Sequence, residues 1–228
     1  MSRIYPYQGR QNCLSGMYWE MAMESYYNAV NYSNEIKKHQ YWYEVIEPRN
    51  SLFKEVISTI VFSSMSIESF FNDYAAACLG DSDFYDNFDQ LSVLGKFELI
   101  ARFILHTKID KSQAYYCHLK ELIRERNTFI HNKSTRINGY ASLEELQEAQ
   151  QIYEEETGQS NNPGIDFDEI KKELCQALDG LKAVKAIAQF FSEYDDSFHA
   201  EFVLLGKCMH FEEEEPAYRN YVFSLLNI

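Results

Sequence analysis

Apolar residues recur at helical spacing through most of the chain, and strand-like alternation does not appear. The clearest stretch is 50–79, where Phe53, Val56, Ile60, Ile67, Phe70, Phe71 and Tyr74 share one face at a 3.6-residue period. Gly80 follows as a stop. A second stretch, 91–106, steps by four, three and four residues through Val93, Phe97, Ile100 and Ile104. A third covers about 112–133, with Ser112 as its expected N-cap. A fourth begins behind Asp166 and runs to about 193 through Phe167, Ile170, Leu174, Leu178, Leu181, Val184, Ile187 and Phe191. Ahead of all these, 13–47 predicts one long helix in which Tyr, Trp, Met and Val recur with no breaker until Pro48. The Asp-rich segment 81–90 reads as a connector with at most a short helical turn.

The pattern predicts an all-α, up-and-down helical bundle in a single domain, residues 1–228. Its core is expected at about 50–133 plus 166–193, preceded by the long N-terminal helix. Residues 134–165 read as a surface insertion with a short acidic helix at 142–155 and a polar loop at 157–164. Residues 197–228 form a C-terminal extension that the pattern leaves open between helix and strand pair. Composition sharpens this in one respect. With 9 Gly and 4 Pro in 228 residues, turns must be few, which favours long helices.

No apolar run approaches the roughly 18 residues of a membrane span, and the first residues lack an apolar signal core. No membrane association and a cytoplasmic location are therefore expected. Five scattered cysteines (Cys13, Cys78, Cys117, Cys175, Cys208) read as reduced thiols. Cys208 and His210 stand alone as potential ligands, so neither a metal nor a cofactor is expected.

The net charge of −14 disfavours broad nucleic-acid binding. It is uneven, however. Residues 144–156 carry six Glu and no basic residue, and four more occupy 212–215. In contrast, 120–136 holds Lys120, Arg124, Arg126, Lys133 and Arg136 against Glu121 and Glu125, a local net of +3.

That basic stretch contains the candidate chemistry. On a helical wheel Arg126 falls in the stripe formed by Tyr115, Leu119, Leu122, Ile123, Phe129 and Ile130, with Arg124, Asn127 and His131 along its edge. A guanidinium held against apolar surface must be paired or must face a cavity. On the 50–79 helix, Glu68 and Asn72 lie one turn apart on the shoulder of the apolar face, and Glu68 is the natural partner for Arg126. From spacing alone, a structural ion pair with Asn127 and His131 solvating a helix end is the plainer reading. His106 and His118, each alone on a helix, read as structural. No phosphate-cradling loop or zincin helix occurs, so NTPase and metalloprotease readings find no support.

"RNTFIH", residues 126–131, resembles the Arg-x4-6-His signature of the HEPN superfamily (higher eukaryotes and prokaryotes nucleotide-binding domains). "SIESFFNDYA" (66–75) and "LSVLGKFELI" (91–100) resemble the segments that precede it in those proteins. The resemblance covers about 50–135. It implies a bundle that forms a homodimer with the motif helices facing each other, and a metal-independent endoribonuclease site shared between them. His131 would be the acid/base, Arg126 would stabilise phosphate charge and Asn127 would orient the site. Imidazole and guanidinium chemistry suit these roles. Lys120, Arg124, Lys133 and Arg136 would draw single-stranded RNA into a local basic cleft, with Glu68 and Asn72 in support. The chain departs from the HEPN toxins paired with nucleotidyltransferase antitoxins: Lys133 stands where they carry a tyrosine, and this chain is longer. A stress or phage-defence role is implied by the resemblance alone. The alternative expectation is a non-catalytic dimeric module that binds a nucleotide or an unidentified protein partner.

Overall fold

The computed structural model describes residues 14–39, 42–131, 165–195, 204–205 and 216–228, and among them every regular element is helical. Seven α-helices follow in order: α1 (Ser15–Ile36), α2 (Ile46–Leu79), α3 (Asp81–Asn87), α4 (Val93–Leu99), α5 (Ala114–Ile130), α6 (Phe167–Tyr194) and α7 (Ala217–Leu226). The expected insertion lies outside the described residues except at its last position.

Four long helices alternate in direction. Ser66 of α2 donates to the Ser15 carbonyl at 2.8 Å, and Phe62 stacks on Tyr18, so α1 runs antiparallel to α2. Arg49 meets Glu173, Ser63 faces Gly180 and Phe71 meets Phe191, so α6 runs parallel to α2. Tyr115 meets Phe190 while Leu122 meets Gly180, so α5 is antiparallel to both. The up-and-down bundle is therefore present, with α3 and α4 crossing from the end of α2 to the start of α5.

The core follows the predicted stripes. Val56, Ile60, Ile67, Phe70, Phe71 and Tyr74 of α2 are buried, as are Ile170, Leu181, Val184, Ile187 and Phe191 of α6. Phe97 of α4 stacks flat on Phe71 at 5.4 Å, which fixes α4 against α2. Phe53 departs from its stripe: it is 40% exposed and touches only the edge of the core, through Phe129 at 6.1 Å. At that level of the bundle α2 has one aromatic neighbour where Phe71 has several.

Helix ends required tertiary information. The expected 13–47 helix stops at Ile36, the last buried residue before Lys37, Lys38 and His39, and tight bonds from Lys38 and His39 back to Glu35 and Ile36 close it. Pro48 does not mark a boundary. It sits in the first turn of α2, where an N–H would lack a helical partner in any case. Ser112 is not the cap of α5; Gln113 holds that position, and Ser112 instead donates its N–H and hydroxyl to Asp110 at 2.9 and 2.6 Å. Asp166 caps α6 as expected, accepting from Glu169 N–H at 2.9 Å. Gly80 ends α2 at φ 89°, a backbone region that glycine enters without steric cost.

The 91–106 stretch begins as α4, capped by Ser92, and widens into a π-helical turn at Ile100–Ile104. His106, at φ 55°, turns the chain away. Within the C-terminal extension, α7 packs on α1: Val222 and Leu226 are buried, and Arg219 pairs with Glu20 at 3.4 Å.

Candidate functional site

α2 supplies two polar groups beside its core face. Glu68 and Asn72 are one turn apart, each adjacent to a fully buried residue (Ile67 and Phe71). Opposite them, the anchoring of Phe97 carries its neighbour Lys96 inward, to 2% exposure. A buried ammonium must find acceptors. Lys96 donates to Asn72 Oδ1 at 2.8 Å and stands 3.6 Å from Glu68 Oε1.

α5 closes the group. Arg126 lies beyond the buried Leu119 and Leu122 on the same stripe, and its side chain is 27% exposed. Its Nη2 is 4.0 Å from Glu68 Oε2, so the Glu68–Arg126 pairing expected from the wheel is present at long range. Nη1 donates to Asn127 Oδ1 at 3.3 Å, while the buried Nε has no hydrogen-bond acceptor among the described residues. One carboxylate thus faces two cations, a local excess of one positive charge within the group, and the guanidinium side chain stays partly open to solvent. Such a group is suited to an anion.

The remaining sequence candidates are distributed differently. Asn127 and His131 are exposed, and His131 is the C-cap of α5, its N–H donating to the Asn127 carbonyl at 2.9 Å. No hydrogen bond or ion pair joins His131 to Arg126 within the chain. Arg124 is turned to its own helix, paired with Glu121 and, at 2.9 Å, Glu125. Lys120 is exposed, and Lys133 and Arg136 lie outside the described residues. Ile130, placed on the stripe by the wheel, is the last residue of α5 and is 48% exposed.

Lys96 was not singled out from sequence. The signal available was one cation inside the apolar run "VLGKFELI", next to a core phenylalanine.

A separate concavity of about 90 Å³ opens between α5 and α6, against Ile60, His118, Leu122 and Gly180. Glu121, Glu125 and Asp179 also line it, which makes its wall unfavourable for phosphate. It involves neither Arg126 nor His131. Among the described residues, no group of three or more His, Cys, Asp or Glu is placed to hold a metal, and no helix is long and apolar enough to cross a membrane.

No protein-family model, curated protein or solved structure matches the chain.

Proposed function

We propose that the chain is a metal-independent endoribonuclease of HEPN type that cleaves single-stranded RNA at a site completed by a second copy of itself. The observation that carries this reading is the half-buried Arg126, held loosely by Glu68 with its Nε unfilled, five residues before an exposed histidine. The resemblance of residues 126–131, 66–75 and 91–100 to HEPN segments supports it.

In this reading Arg126 binds the non-bridging phosphate oxygens and His131 works at the reacting oxygens. The ribose 2′-oxygen attacks phosphorus and gives up its proton to a base. The bond from phosphorus to the 5′-oxygen breaks, and that oxygen takes a proton from an acid. The products are a 2′,3′-cyclic phosphate and a 5′-hydroxyl. An exposed imidazole exchanges protons with solvent readily, and a guanidinium answers the charge that develops on phosphate. No hydrogen bond or ion pair links His131 and Arg126 of one chain, so a twofold pair of α5 helices is what would bring an acid/base to each clamp.

The test is RNA cleavage by wild type and by His131→Ala, on pooled cellular RNA with EDTA present. Wild type cleaves, and the variant loses a factor of about 10²–10⁴. Equal cleavage by both rejects the assignment of His131. Light scattering should find a dimer at micromolar concentration.

A second reading, a non-catalytic module that binds a nucleotide or a protein, is favoured by the absence of a hydrogen bond or ion pair between His131 and Arg126 of one chain. Binding without cleavage by wild type would select it.

A further inference from the structure

We propose that Lys96 is a positioning residue that keeps Arg126 open to an anion by holding Glu68 away from it; the inference rests on the anion-binding role of Arg126 set out above. Glu68 lies between the two cations. One oxygen is 3.6 Å from Lys96 Nζ and the other is 4.0 Å from Arg126 Nη2. A carboxylate left alone with a guanidinium forms two short parallel hydrogen bonds, which use the donors a phosphate would use. That arrangement is not present. Glu68 is split between partners, its contact with Arg126 is long, and Arg126 Nε has no acceptor.

Lys96 has the features required to cause this. Its side chain is 3% exposed, so water offers its ammonium little, and Asn72 and Glu68 are the acceptors within reach. Phe97, fully buried against Phe71, prevents α4 from withdrawing it. Arg126, at 27% side-chain exposure, keeps access to solvent and to a ligand arriving from it. Lys96 also supplies the charge that makes the group net positive. Without it, Glu68 and Arg126 cancel, and a phosphate meets neither an open fork nor an attractive field.

The test has a binding arm and a spectroscopic arm. In a His131→Ala background, which slows turnover, affinity for a short single-stranded RNA oligonucleotide is measured for Lys96→Met, Glu68→Gln and the double variant. Lys96→Met weakens binding by about tenfold, the scale of one charge-assisted contact. Glu68→Gln alone strengthens it severalfold, and adding Glu68→Gln to Lys96→Met restores affinity. A lysine that only ties α4 to α2 gives no such rescue, so a double variant as weak as Lys96→Met overturns the proposal. Should Lys96→Met fail to fold, Glu68→Gln still decides, since unchanged or weaker binding contradicts it.

The second arm needs no RNA. The Arg126 Nε–H resonance in the free protein shifts in Lys96→Met as Glu68 closes onto the guanidinium, and an unmoved resonance overturns the proposal. A wild type that neither binds nor cleaves RNA, but whose Arg126 resonance responds to Lys96→Met, leaves the positioning intact and rejects the ribonuclease reading.

Discussion

Gly180 of α6 lies directly against Leu122 of α5: a methyl group added at Gly180 would stand 3.3 Å from Leu122 Cδ1 and 3.6 Å from Ser63 Oγ. Residues of α2, α5 and α6 meet here, beside the stripe that also carries Arg126. Gly180→Ala gains about 1 kcal/mol of helix propensity and asks Leu122 to give by a few tenths of an ångström. Its stability should stay within about 1 kcal/mol of wild type. Gly180→Leu has no such escape and must separate the helices, at a cost of about 1–3 kcal/mol. Urea denaturation of the three proteins checks the order, and a Leu variant as stable as wild type would show the junction to be loosely packed.

Phe191 should be far more costly to remove than Phe53. Phe191 meets the rings of Phe70, Tyr74 and Phe71 at 4.8, 5.0 and 5.8 Å and is fully buried. Phe191→Ala should cost about 3–5 kcal/mol. Phe53, 40% exposed with one ring partner, should cost less than about half of that. Thermal melting of both variants measures the contrast, which would vanish if Phe53 were covered by another part of the assembly.

Arg219 and Glu20 form an ion pair with side chains 3% and 14% exposed. Removing one charge should be worse than removing both. Arg219→Met leaves the shielded Glu20 carboxylate with a neutral donor, the Tyr218 hydroxyl at 3.1 Å, in place of a cation and should cost about 1–3 kcal/mol. The Arg219→Met/Glu20→Leu double variant should recover much of that loss, because two desolvation penalties disappear together. A double-mutant cycle by chemical denaturation reads the coupling. Additive losses would mean that the pair does not hold α7 to α1.

What the sequence disclosed depended on whether a feature was local. The stripe of α6 and its Asp166 cap are properties of neighbouring residues, and both appear where the spacing placed them. The Glu68–Arg126 relationship was legible because each residue sits beside its own helix's apolar face, and two such faces must meet. Lys96 was not legible as a buried ammonium. Its burial follows from Phe97 stacking on Phe71, a contact between helices whose crossing the spacing does not define. Ile130 and Phe53 show the same limit. Both have the periodicity of core residues, but Ile130 is the last residue of α5, and Phe53 is exposed although Leu52 and Val56 beside it are fully buried, so spacing alone does not say which members of a stripe find neighbours.

Two tyrosines should make the fold sensitive to alkali. Burial pushes the Tyr26 phenol up to about 12, with Tyr221 nearby adding to the effect. Burial also pushes Tyr218 up to about 12, helped by the Glu20 carboxylate that accepts its hydrogen bond at 3.1 Å. In the unfolded chain both phenols titrate near 10. Above that pH the unfolded state releases protons that the folded state still holds, so rising pH favours unfolding. Stability from this source is fully present below about pH 10 and is lost as the pH rises toward about 12. The unfolding free energy should therefore be level, as far as these groups are concerned, from pH 8 to 10 and decline above it. Phenolate absorbance should lag behind that of the unfolded protein over the same interval. Tyr26→Phe and Tyr218→Phe each remove one titrating group while keeping most of the ring packing, so the combined variant should lose less stability per pH unit above 10 than wild type. If its decline is as steep, the alkaline sensitivity belongs to other groups, among which Tyr115 and Tyr116, also pushed upward chiefly by burial, are the next to replace.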